Sequence, residues 1–131
     1  MNKFDLSRAA AKYLVNPFTK LAAGRLPGAA LVKTTGRRTG RPRYTPVGYR
    51  IDGGTVWLVA EHGRRADWVR NLEAHPEVGV KIRGRWLSGT GRVMPDEDPA
   101  EHLRRQRNKL SAATVRLVGT DPTVVRVDLE G

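Results

Sequence analysis

Residues 29–60 read AALVKTTGRRTGRPRYTPVGYRIDGGTVWLVA. The punctuation of this stretch decides the fold. AALVKTT (29–35) and YTPVGYRI (44–51) are two strand candidates joined by a turn, and Asp52-Gly53-Gly54 is a strong hairpin signal before the buried-strand pattern TVWLVA (55–60). The first connection, TTGRRTGRPR (34–43), sets four arginines, two glycines and a proline in ten positions. Arginines repel one another, so this turn either holds something anionic or simply faces water.

Upstream, residues 5–15 read as a short amphipathic helix with Ala9, Tyr13 and Leu14 near one face. Asn16-Pro17 then reads as a cap and first-turn pair for a second short helix carrying Phe18 and Leu21, stopped near Gly24. Together they form a helical arm over about residues 1–25. Downstream, EHGRR (61–65) is a loop, and ADWVRNLEAH has Trp68, Val69 and Leu72 at helical spacing until Pro76 ends it. EVGVKI and WLSGTGRVM form another strand pair that turns near Arg83-Gly84. Asp98-Pro99-Ala100-Glu101 has the form of a capping box. The helix it starts offers only Leu103 and Leu110 as large apolar residues, which places it, with His102, on the surface. TVVRVDL (123–129) alternates and reads as a last strand. The expected fold is mostly β with α: a barrel of about six antiparallel strands with helices outside.

Composition sets the outer bounds. The chain has 131 residues, a net charge of +11 and 39% hydrophobic residues, enough for one modest core and hence one domain over 1–131. There is no cysteine, which excludes disulfide and thiol chemistry. No apolar stretch is long enough to span a bilayer, and the N-terminus lacks the continuous apolar stretch of a signal peptide, so a cytoplasmic location is expected. The charge favours an anionic partner: nucleic acid, a lipid surface or a phosphorylated small molecule. Part of the arginine excess is also what a GC-rich genome yields.

Most chemistries find no support. His62, His75 and His102 show no metal-ligand spacing, so no metal is expected. There is no nucleophile elbow around Ser7, Ser88 or Ser111, and GRRTG is not a Walker motif. Yet glycines flanking Arg37-Arg38-Thr39 allow a tight turn with exposed backbone N–H groups, and guanidinium forks around it suit phosphate or carboxylate. Pro46 removes a ladder donor, which marks an edge or an opening. EHGRRADW adds a second Gly/Arg loop that runs into a helix N-terminus, favourable for anions. Trp68 and Asn71, three apart, offer an aromatic plane and an amide on one helix face, although Trp68 alone also reads as plain core.

With TTGRRTGRPR-YTPVGY, DGGTVWLVAEHG and DWVRNLEAHPEVGVKI in this order, the chain resembles the deazaflavin-dependent nitroreductase family of actinobacteria, split β-barrel proteins that use coenzyme F-420. The likeness covers roughly residues 30–95. It implies F-420 in a groove, with FMN the less favoured cofactor. Arg37, Arg38 and Thr39 then look like contacts to the phosphate and oligoglutamate tail. Arg43, Tyr44, Thr45, Pro46, Val47 and Gly48 would line the next stretch, and Val59, Ala60, Glu61 and His62 would run beside the ring. Asp67, Trp68, Val69, Arg70 and Asn71 would close the pocket, and no side chain is assigned a catalytic role. The implied activity is hydride transfer from reduced F-420 to a quinone, nitro or other conjugated acceptor. Rival readings are an F-420- or flavin-binding protein without turnover, and a basic nucleic-acid-binding domain, for which no recognition motif is present. The resemblance also implies a homodimer and a loose association with the inner membrane face, toward a lipid quinone. Nitroimidazole-reducing members carry a C-terminal tyrosine near substrate, whereas here no Phe, Trp or Tyr follows Trp86.

Overall fold

The computed structural model describes residues 29–105 and 121–130. The helical arm, Leu110 and Ser111 lie outside the described residues.

Six strands follow in order: β1 (Ala29–Thr35), β2 (Pro42–Asp52), β3 (Thr55–Ala60), β4 (Glu77–Ile82), β5 (Arg85–Met94) and β6 (Thr123–Leu129). Helix α1 (Asp67–Ala74) lies between β3 and β4, and α2 (Pro99–Arg105) follows β5. The strands close into a barrel in the order β1-β2-β3-β6-β5-β4, every pair antiparallel. β2 is longer than YTPVGYRI alone suggests, because the ladder with β1 runs back to Pro42.

Period-two alternation builds the interior. Val56, Leu58 and Ala60 of β3, Val78, Val80 and Ile82 of β4, and Val125 and Val127 of β6 share one core with Ala30, Val32 and Tyr49. Trp68, Val69 and Leu72 of α1 join that core. Gly91 of β5 lies under Leu72, where a Cβ would come within 2.6 Å of the leucine Cδ1. On the outside, Leu103 of α2 packs on Val59.

α2 departs from the surface reading. Asp98 caps it as expected, accepting the Ala100 N–H at 3.0 Å. Glu101 instead turns outward to Arg104 and Arg105, which hold its carboxyl below the usual range, the Arg104 hydrogen bond contributing most. His102 is buried, not exposed. Its ring lies 4.8 Å from that of Trp57. The guanidinium of Arg50 can only donate, so it donates to His102 Nδ1 at 3.2 Å, and Nε2 donates to Glu97 at 3.2 Å. Trp57 is flanked along its cross-strand row by Arg50 and Arg126, whose guanidinium carbons lie 5.9 and 5.4 Å from the ring centroid.

Gly63 closes the connection from β3 to α1 at φ 60°, and a Cβ there would sit 2.3 Å from the Asp121 carbonyl oxygen at the start of β6. Gly63→Ala should therefore destabilise the protein by at least ~2 kcal/mol, from left-handed strain plus a backbone clash. Gly54→Ala meets open space and should stay within ~1 kcal/mol of the parent. Urea unfolding of both variants checks the contrast.

Candidate functional site

The barrel is parted along one seam. β2 pairs with β1 along Pro42–Gly48, but meets β3 only from Tyr49 to Asp52. β3 continues past Leu58 through Val59 and Ala60 with β6 alone beside it. The first half of β2 and the last residues of β3 thus face each other across a gap, each lip lacking a ladder partner on that side. Pro46 sits on this half of β2, where a missing N–H disturbs the sheet least.

A cavity of about 210 Å³ occupies the gap, lined by Thr45, Pro46, Val47, Gly48, Val59, Glu61, His62, Ala66 and Trp68. Trp68, only 7% exposed, is both core and wall. Glu61 and His62 come from the β3–α1 loop, and Ala66 stands at the α1 N-cap.

The floor of the cavity leads to the arginine turn. Residues two apart on a strand share a face, so Val47, Thr45 and Arg43 form one row. Their partners on β1 are Ala30, Val32 and Thr34, all buried. Arg43 is exposed at the far end of that row. The Thr34 hydroxyl opposite it is buried without a hydrogen-bond partner. Beyond Arg43 the turn folds on itself. Gly36 N–H donates to Arg41 O at 2.7 Å, Gly40 N–H to Gly36 O at 2.8 Å, and Arg41 N–H to the Thr39 hydroxyl at 3.2 Å. A Cβ on Gly36 would lie 2.9 Å from that hydroxyl oxygen, so glycine is what lets the turn close. Arg38 and Arg41 stay exposed at its rim.

The expected site residues thus fall into three groups. Thr45–Gly48, Val59, Glu61, His62 and Trp68 converge on the cavity, with Ala60 buried beside them. Arg38 and Arg43 are exposed cations on the approach to it. The rest lie outside the cavity lining. The Thr39 hydroxyl is used within the turn. Tyr44 points to the outer face beside Trp86, ring centroids 6.0 Å apart. Val69 is core and Arg70 is exposed away from the cavity lining. Arg37, Asp67 and Asn71 bond to one another: Asn71 Oδ1 accepts both the Arg37 N–H at 3.1 Å and its guanidinium at 2.8 Å, and Asp67 accepts the same guanidinium at 3.2 Å. Two residues were not read from the sequence as site members. Arg41 was visible in the turn; Ala66 carries no sequence signal beyond its place before a helix. Among the described residues no cluster of His, Cys, Asp or Glu could hold a metal ion, and no helix is long and apolar enough to cross a membrane.

A family model described as F-420H(2)-dependent quinone reductase matches residues 12–130. The chain belongs to that family. An F-420H(2)-dependent quinone reductase of Mycobacterium tuberculosis is 35% identical over 81 residues, covering 57% of this chain and 54% of the relative. A Mycobacterium bovis counterpart matches to the same extent. The chain spans about half the length of the curated relatives it matches. Among solved structures, an F-420-H2-dependent reductase, FDR-A, is 25% identical, with a TM-score of 0.58 over 79% of this chain and 97% of that one. The heme storage protein HutZ of Vibrio cholerae, 11% identical at TM-score 0.59, shares the fold alone.

Because Trp68 serves core and cavity together, Trp68→Ala should cost about 3–5 kcal/mol of stability. Trp68→Phe, which keeps a ring, should cost less than half as much. Denaturant unfolding measures both; a loss below about 1 kcal/mol in Trp68→Ala would mean that Trp68 contributes little packing of its own.

Proposed function

We propose that the chain binds coenzyme F-420 in the seam between β2 and β3 and works as an F-420-dependent oxidoreductase. Its acceptor in this reading is a quinone or another electron-poor conjugated compound. One observation carries the reading: a narrow, largely apolar cavity whose floor runs, through Val47, Thr45 and Arg43, straight into a rim of exposed arginines.

F-420 pairs a flat deazaflavin ring with a phosphodiester and several carboxylates, and the residues present fit both ends. Pro46, Val47, Val59 and Trp68 supply apolar walls that exclude water from the ring. The parted lips of β2 and β3 offer backbone polar groups to its edges. Arg38, Arg41 and Arg43 supply charge-assisted contacts for the tail, and the unpartnered Thr34 hydroxyl stands ready to join them. When bound in reduced form, the deazaflavin supplies a hydride to the acceptor. The chain's own part is to bind, orient and keep the ring dry. His62 lines the cavity yet is exposed, so water reaches this side and can protonate the reduced acceptor. A shaping role for His62 is enough.

Fluorescence titration should give F-420 an affinity at least ~tenfold above that of FMN, since one extra charge-assisted contact is worth about 1.5–3 kcal/mol. Equal affinities would remove the basis of the reading. Steady-state oxidation of reduced F-420 with a panel of quinones separates an enzyme from a protein that only binds the cofactor.

His62→Gln should lower turnover of reduced F-420 by less than about tenfold at saturating cofactor. A positioned histidine acid would be worth ~10²–10⁴-fold. A drop beyond a hundredfold in single-turnover oxidation would make His62 the proton donor.

A further inference from the structure

Arg37 is the first arginine of the turn. Its side chain is 21% exposed, and its bonding capacity is directed at α1. Asn71 is 3% exposed and spends its carbonyl oxygen on two Arg37 donors, one from the backbone and one from the guanidinium. Asp67, one turn earlier on the same helix, takes the other guanidinium nitrogen while remaining 74% exposed. A single side chain thus grips the backbone and the head group of Arg37 at once. The same helix carries Trp68, the wall of the cavity. The β2 side of the pocket, Thr45–Gly48, runs straight out of the arginine turn, whereas its Trp68 wall stands on α1; this contact ties the turn to that wall.

We propose that Arg37 and Asn71 are positioning residues: they lock the arginine turn to α1 and so fix the spacing between the Trp68 wall of the ring pocket and the cations that receive the ligand's anionic tail. The proposal rests on the F-420 reading and deepens it. It assigns tail contact to Arg38, Arg41 and Arg43, and takes it away from Arg37. The fork geometry matters, since Nη1 and Nη2 reach two different acceptors, a task that the single ammonium of lysine does not reproduce.

The test compares Arg37→Ala, Arg37→Lys, Asn71→Ala, the Arg37→Ala/Asn71→Ala double variant and Arg38→Ala in the full chain. Two ligands are titrated across a range of salt: F-420, and the deazaflavin riboside that lacks phosphate and glutamates. Loss of the lock should weaken F-420 binding about five- to twentyfold in Arg37→Ala, Arg37→Lys and Asn71→Ala alike. The double variant should be no worse than the poorer single within about twofold, because both act through one contact. Affinity for the tailless riboside should stay within about twofold, an outcome that general damage to α1 or Trp68 would not give. The salt dependence of F-420 binding should fall in Arg38→Ala and persist in Arg37→Ala. The proposal is overturned if Arg37→Ala flattens the salt dependence as Arg38→Ala does, if Arg37→Lys restores binding, or if the two single effects add.

A readout without ligand keeps the two levels apart. Hydrogen exchange at the amides of residues 36–41 should accelerate at least tenfold in Arg37→Ala and Asn71→Ala. Unchanged exchange overturns the lock whatever F-420 does. Absence of saturable F-420 binding by the parent protein overturns the functional reading and the spacing role with it, while accelerated exchange would still identify the lock as a structural tie.

Discussion

β2 has two partners and cannot satisfy both along its length. It follows β1 from Pro42 onward, but β3 only from Tyr49 to Asp52. β3 in turn keeps β6 beside it for its whole run, Thr55 to Ala60. The barrel remains closed at one end and parts at the other. A parted seam in an otherwise closed sheet leaves two strand edges facing each other, and unpaired edges need a partner. The first turn of α1 and the loop before it cover the gap without filling it. That parting places the cavity, its apolar walls and the row from Val47 to Arg43 that leads out of it.

The charge follows the same geometry. A turn with four arginines would be an electrostatic liability if all four competed for one space. The structure divides them. Arg37 is neutralised by Asp67 and held by Asn71, while Arg38, Arg41 and Arg43 remain exposed. On the outer row of the barrel one basic residue is matched locally. Arg126 donates to Asp128 at 2.8 Å and, as the largest influence, holds that carboxyl below its usual range. Since the folded value is lowered, this tie is intact at neutral pH and is lost only as pH falls through that lowered value. Arg38, Arg41 and Arg43 thus remain available on the turn that β2 joins to the cavity.

Much of this was legible in the chain. The buried-strand pattern of TVWLVA, the pairing of EVGVKI with WLSGTGRVM and the alternation of TVVRVDL marked strands with the same bounds as β3, β4 and β6, although Val59 and Val124 are buried on the second face as well. Pro46 announced an opening, since a central strand cannot spare the donor. The burial of His102 was not legible. Its helix looks polar, and its partners Arg50 and Trp57 come from strands about fifty residues away, as the Arg50 separation of 52 shows. Asn71 was read on the correct helix, but its bond to Arg37 was not legible. Helical spacing puts it near the Trp68 face, yet its partner, Arg37, lies 34 residues upstream, and no local pattern encodes which donor claims a buried amide. Local periodicity fixes faces; the pairing of polar groups across the fold is decided by tertiary geometry.

The central claim is that the seam between β2 and β3 is the cofactor site. Amide chemical-shift mapping of the full chain during F-420 titration tests it most directly. The account predicts that shifts concentrate at residues 45–48, 59–62 and 36–43, with little change in the outer row of Trp57, Arg126 and Arg92. Shifts centred on that outer row, or saturable binding that leaves residues 45–48 and 59–62 unperturbed, would contradict it.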